Sequence, residues 1–425
     1  MLGHKKYKSK TDNKKSVKVI SSSLLFIRVC LFHMKVSPGT EFLDNDRVRW
    51  LSSQHFPVRI TTGNKVQHQR ATGRCWLFAL SNVARVVWRT NEDLSISFLA
   101  FHDAVQKCRK FLQLCCEWKN EDLRGRLMTW LLSDSNTFAD GGQFDMAMRL
   151  LREHGWCYKS DYPAGETAVA HLSSLETRKL LRRRLRFEAL KIFSNKDTPD
   201  VEGIVADIRA TLLVPLFGEP PTVLTRPNGS ISCLDFAKQQ QSRFDVQKFR
   251  CLVNAPGYHP MHAKLHIHTL DSTYVNVEIE EMLQMCELQL TFGIPVWIGV
   301  DWGKCRNIPS GSLDCDMYRL FDEKLHMPTT MTKGDLLLSG ESQMTHAVCL
   351  VGFDKSENGE TRYRVENSHG LKGIDGFYHA SNSYLRLYLF EAAILEELIP
   401  ERIRKVFDSK EIVELPPWDP MGALA

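Results

Sequence analysis

Cys75 stands in QRATGRCWLFALSN (residues 69–82), between a polar Thr72–Gly73 turn and an apolar run with helical spacing. A cysteine so placed opens a helix, where unpaired N–H groups carry partial positive charge and lower a thiol pKa. A nucleophilic thiol also needs a base for its proton and donors for the oxyanion formed on attack at an acyl carbon. His346 begins the apolar run of QMTHAVCLVGF, and a strand start is a rigid platform for that base. Asn367, in RVENSHG, lies 21 residues later at the end of the next candidate strand. An adjacent antiparallel strand would return it beside His346, where its side chain could orient the imidazole. Gln69, six residues before Cys75, offers an amide as oxyanion donor beside the Cys75 N–H. Any one of these residues alone is more often structural than catalytic. The four together, each in its context, point to acyl transfer through a thioester.

These residues must be held by helices before the strands. Residues 75–90 read as a helix, residues 93–114 as a second with Asp93 or Ser95 as cap, and residues 141–155 as a third closed by Gly155. The stretch from about 165 to 290 reads as mostly helical and charged. After 290, IPVWIGVDW, MTHAVCLVGFD, TRYRVENS and DGFYHAS are short β-rich runs. Helices first and strands last argue an α+β fold with an antiparallel sheet rather than a doubly wound one. FEAAILEELIPERIRKVF (390–407) reads as a return to helix, and prolines keep the final ELPPWDPMGALA extended.

The 425 residues are 43% hydrophobic and 25% charged, with a formal net charge of +5, which is ordinary for a globular chain and gives no reason to expect a nucleic-acid binder. The 12 cysteines form no CxxC pair and no zinc spacing, so they read as scattered reduced thiols of a cytoplasmic protein. No metal or cofactor is expected. HKKYKSKTDNKKSVK followed by VISSSLLFIRVCLFHM imitates a secretory signal, but Arg28 interrupts an apolar run already too short to span a bilayer. Residues 1–44 are therefore expected to be a disordered, non-catalytic extension, with a targeting segment as the alternative. No membrane association is expected.

The pattern Gln-x-x-x-Gly-x-Cys-Trp (Gln69 to Trp76) resembles the active-site segment of papain-like cysteine peptidases, and His346 and Asn367 follow in that family's order. More narrowly, GRCWLFA, DGGQFDM, CLVN, GES-x-MTHA, RVENS and the final PWDPMGALA resemble the bleomycin hydrolase family. The resemblance covers residues from about 45 to Ala425. It implies a papain-like two-lobed α+β fold: a helical lobe with the nucleophile (45–165), a mainly helical insertion used in oligomerisation (166–290), a β-rich lobe with His346 and Asn367 (291–412) and a C-terminal arm into the active site (413–425). The 271 residues between Cys75 and His346 agree with so large an insertion.

The same resemblance implies a cysteine aminopeptidase acting on peptides or small amides with a free amino terminus, assembled as a homohexamer. It also implies that Gly141 and Gly142 line the substrate cleft. The arm's terminal carboxylate would meet the substrate amine, which places Ala425 at the specificity position with Leu424 and Ala423 beside it; trimming of the last residue would pass that role to Leu424. The basic run RKLLRRRLRF (178–187) reads first as a solvated helix face, with weak salt-sensitive DNA or RNA binding as the alternative. A weakly active homologue serving as a nucleic-acid-binding or scaffold ring is the competing function, and hydrolysis of small amides or thiolactones is a second use of the same site. The chain departs from the family at His369 and Tyr363, where Trp is usual, and at His68, where Asn is common. His369 is expected to leave the hold of Asn367 on His346 more exposed.

Overall fold

A computed structural model describes residues 45–163, 174–195, 199–242, 245–318, 331–357 and 359–423. The expected N-terminal extension (1–44) and the last two arm residues, Leu424 and Ala425, lie outside the described residues.

The helix Cys75–Val87 buries Trp76, Leu77, Leu80, Val83 and Ala84 almost completely. Its apolar residues run all round, as befits a helix lying in the core rather than on it. The next helix, Ile96–Glu117, begins at Ser95, whose hydroxyl accepts from Phe98 N at 3.2 Å as the N-cap expectation requires. The helix Phe144–His154 ends at Gly155, where φ is 74° and a Cβ would stand 2.1 Å from the Cys233 carbonyl oxygen. Only glycine fits that closing turn. The helix starts three residues later than expected, because Gly141 and Gly142 lie outside any regular element and Gln143 is extended before it.

Fourteen strands are described: β1 (Val58–Arg59), β2 (Val223–Arg226), β3 (Gly229–Ser232), β4 (Phe249–Val253), β5 (Lys264–Ile267), β6 (Ser272–Asn276), β7 (Val296–Val300), β8 (Arg306–Asn307), β9 (Ser312–Leu313), β10 (His346–Lys355), β11 (Thr361–Glu366), β12 (Phe377–Ser381), β13 (Leu389–Leu395) and β14 (Val413–Leu415). Twelve of them form one sheet in the order β14-β5-β6-β4-β13-β7-β10-β11-β12-β9-β8, with β1 added to β10; β2 and β3 pair separately. Pairing is mainly antiparallel, although β4–β6, β5–β14 and β9–β12 are parallel. The helix Cys75–Val87 packs on one face of this sheet, against β10 and β7. The helices Ile279–Thr291 and Asn382–Tyr388 pack on the other. Both faces being covered, the central strands β7, β11 and β13 are buried at every residue.

That double burial explains two departures from the sequence expectations. Residues 389–395 form the central strand β13 between β4 and β7, not the first turns of a helix. Their continuous apolar run carries no period, and its alanines favour helix only until sheet packing overrides propensity. The expected helix survives as Glu401–Phe407, after Pro400. The mainly helical expectation for 166–290 fits Ser174–Ser194, Val201–Ile208 and Cys233–Gln241, but β4, β5 and β6 lie within its second half. The tail runs extended only through β14, then turns into a short 3-10 segment at Pro420–Gly422. No helix among the described residues is long and apolar enough to cross a membrane.

Candidate active site

Cys75 is the first residue of its helix and 3% exposed. The β7–β10 register sets His346 opposite Val300 and Cys349 opposite Trp297, and the Trp297 indole N–H donates to the Trp76 carbonyl at 3.0 Å. Helix and strand are thereby locked with the cysteine against the start of β10. Ala347 N–H donates to Cys75 Sγ at 3.5 Å, so the sulfur lies beside the residue following His346. Asn367, just past the end of β11, meets His346 as the antiparallel spacing predicts: His346 Nε2 and Asn367 Oδ1 are 2.8 Å apart. With Nε2 engaged, Nδ1 is the nitrogen left to exchange a proton with the thiol.

Burial pushes the Cys75 thiol up to about 11, opposed by the N–H groups of Ala347, Trp76 and Cys75 itself. Burial pushes His346 down to about 4, opposed by the Asn367 hydrogen bond and reinforced by His369 and Arg306. Each charge alone is therefore disfavoured in this site. Moving the proton from sulfur to imidazole creates both at once with no net charge, and their attraction in a poorly solvated pocket offsets the desolvation.

Gln69 is 7% exposed, and its amide is fixed at both atoms. Oε1 accepts from the Ser368 hydroxyl at 2.5 Å, and Nε2 donates to the Thr72 carbonyl at 2.5 Å. An amide nitrogen carries two protons, so one remains to meet an oxyanion formed over Cys75. The backbone joins the two halves of the site: Gln69 N donates to Ser368 O at 2.7 Å, Gly370 N to Gln67 O at 3.1 Å, and His68 bridges to His369. Gln69, Cys75, His346 and Asn367 thus share one place. Ser368 escaped the sequence reading, since its only signal was adjacency to Asn367. Trp302, whose ring centroid lies 5.1 Å from that of His346, was missed because the end of a strand run has no periodic signal.

Gly142 is buried against the helix Cys75–Val87. A Cβ there would stand 2.5 Å from the Trp76 ring, and Trp76 Nε1 donates to Asp140 O at 2.9 Å. The missing side chain thus makes room for an indole. Gly141 is half-buried, and its carbonyl accepts from Lys107 Nζ. The next residue, Gln143, donates to the Met421 carbonyl at 2.6 Å, and Asp419 pairs with His259 at 3.0 Å, so the tail is tied down beside the Gly141–Gly142 segment. A groove of about 570 Å³ runs alongside, lined by Lys107, Met146, Gln343, Trp418 and Ala423 among others. Leu424 and Ala425 lie outside the described residues. In the basic run, Arg178, Arg182 and Arg186 pair with Asp140 or Asp134, and Arg184 pairs with Glu188 and Asp207. Four of its cations thus hold the helix in place.

Residues 33–422 match the Peptidase C1-like family. The chain is 30% identical over 390 residues to an aminopeptidase C of Listeria innocua, covering 85% of this chain and 87% of that one. It is 28% identical over 405 residues to a bleomycin hydrolase of Mus musculus, with coverage of 85% and 87%. The solved structure of PepW from Lactobacillus rhamnosis HN001 superposes with a TM-score of 0.83 at 25% identity, covering 98% of this chain and 99% of that one.

Proposed function

The chain belongs to the Peptidase C1-like family and is a papain-like cysteine peptidase of the aminopeptidase type, and we propose that Cys75 is its nucleophile, His346 its acid–base and Asn367 and Gln69 their supports. The observation that carries this reading is the pairing of His346 Nε2 with Asn367 Oδ1 at 2.8 Å while Cys75 Sγ sits on the Ala347 N–H. His346 Nδ1 takes the thiol proton as the sulfur attacks the substrate carbonyl. The oxyanion is held by the second Gln69 Nε2 proton and the Cys75 N–H. His346 then protonates the leaving amine, and a water activated by the same imidazole hydrolyses the thioester.

The C-terminal arm supplies selection for a free amino terminus. Its anchoring, Met421 on Gln143 and Asp419 on His259, supports this by fixing the arm beside the Gly141–Gly142 segment; the carboxylate of Ala425 would be the partner for a protonated amine, with Leu424 beside it. The substrates are accordingly peptides or small amides with a free amino terminus. We also propose self-association, as a homohexamer, through the insertion. The helix Ser174–Ser194 leaves Leu175, Leu180, Phe187 and Leu190 between 43% and 62% exposed, an apolar stripe that a second copy would cover. The eleven described cysteines are free, which supports a reducing, cytoplasmic setting. With four arginines of the basic run already paired, nucleic-acid binding would rest on its exposed remainder, Lys179 and Arg183, and is the weaker reading.

The test compares amino-terminal amide reporters with N-acylated ones. Cys75→Ala is expected to abolish both activities, and deletion of Ala423–Ala425 to lower only the first while raising the second. Unchanged preference after the deletion overturns the role of the arm, and turnover by Cys75→Ala overturns the nucleophile.

A further inference from the structure

Two rings pack on the His346 imidazole. The Trp302 indole is tilted against it, with centroids 5.1 Å apart, whereas His369 stacks on it nearly parallel, at 5.2 Å and 12°. His369 also touches the residue that orients His346: Asn367 Nδ2 and His369 Nδ1 are 3.0 Å apart. The Asn367 amide is therefore held from both ends. Its oxygen accepts from His346 Nε2 and from Ser368 N, each at 2.8 Å, and its nitrogen needs an acceptor, which among the described residues the unprotonated His369 Nδ1 supplies. The β10–β11 register accounts for the meeting: Cys349 faces Glu366, and continuing that pairing past the strand end sets His346 across from His369.

We propose that His369 is a positioning residue for this catalysis and its acid-side gate. Neutral, it accepts from the Asn367 amide and holds the Asn367 carbonyl on His346. Protonated, its Nδ1 becomes a donor facing a donor, and its charge lies stacked on the imidazole that must itself become positive when Cys75 gives up its proton. One proton taken up at His369 thus both turns Asn367 away and opposes the His346 cation. This rests on the assignment of His346 and Cys75 given above.

The charged groups around His369 act in one direction. His346 faces it from β10, Lys372 from its own segment, His68 across the backbone bridge and Arg306 from β8. Burial and the Lys372, His68 and Arg306 charges hold its pKa below the usual 6.5, so the gate is open at neutral pH and closes only on the acid side of the ordinary histidine range.

His369→Asn keeps an acceptor at the Nδ1 position but cannot titrate, whereas His369→Phe keeps the stacked ring and loses the acceptor. At pH 7.5 the Asn variant is expected to keep kcat within about threefold, and the Phe variant to lose about tenfold in kcat with KM little changed, the size of one hydrogen bond. In the wild type, kcat/KM is expected to fall on the acid side with the slope of two protons. In both variants it should fall with the slope of one, beginning at lower pH. The pH dependence of Cys75 alkylation by iodoacetamide, which does not involve the arm, should change in the same way. Acid limbs identical to the wild type, with turnover still dependent on Cys75, overturn this proposal alone. Wild-type turnover that does not depend on Cys75 overturns it together with the site assignment.

Discussion

Under the proposed mechanism, replacing Gln69 by Ala removes a side-chain donor for the oxyanion. One Nε2 proton is committed to Thr72 O at 2.5 Å, leaving one for the reaction, and loss of a single such donor costs about 3–4 kcal/mol in the transition state. At 1.36 kcal/mol per factor of ten, kcat should fall by about 10²–10³, with KM little altered because the oxyanion does not exist in the ground state. Ser368→Ala leaves the amide in place but frees Oε1, which now accepts from the serine hydroxyl at 2.5 Å. A lost hydrogen bond of this kind is worth about 0.5–1.5 kcal/mol, hence roughly 2–10-fold in kcat. Since Ser368 acts through Gln69, the double variant should be no slower than Gln69→Ala alone. Steady-state kinetics on a fluorogenic amino-acid amide, run on all four proteins, gives the coupling. Additive losses would refute the reasoning, as would a Gln69→Ala variant with raised KM and intact kcat.

Asn367→Ala should lower kcat by about 10–100-fold at unchanged KM, because the imidazolium formed at His346 loses a charge-assisted acceptor worth about 1.5–3 kcal/mol; kinetics at pH 7.5 checks it. Glu391, fully buried, is pushed up to about 8 by burial and by the neighbouring Asp145. Its folded-state pKa being raised, the stability it contributes is present below about pH 4.5 and is lost as pH rises through about 8, a span worth about 4–5 kcal/mol. Glu391→Gln should therefore melt with a smaller difference between pH 5 and pH 8 than the wild type, and an equal difference would rule this out.

Three of the four candidate residues were legible because each sits at an element terminus that the sequence marks: a Thr–Gly turn before Cys75, the opening of an apolar strand at His346, the close of the next strand at Asn367; Gln69 was marked by its place six residues before Cys75. Their supports were not legible. Ser368 matters only because residues 67–69 pair with 368–370, a contact about 300 positions long that no local pattern announces. The close approach of Gly142 to the Trp76 ring, 66 residues earlier in the chain, carries no local signal either. In the fold, β13 was hidden because burial on both faces erases the alternation that identifies a strand, and Ala392 and Ala393 add helix propensity. The strands β4–β6 were absorbed into a region judged by its charged helices.

The central claim is that Cys75 is an activated thiol, and selective alkylation tests it most directly. Cys75 is 3% exposed, whereas Cys116, Cys305 and Cys315 are half-buried, so an inert set of thiols would react at those three first. With iodoacetamide below one equivalent at pH 6.5, peptide mapping should place the label on Cys75, and label and hydrolytic activity should disappear together in Cys75→Ser. Labelling that follows exposure, with Cys75 left unmodified while the protein still hydrolyses its reporter, would contradict the account.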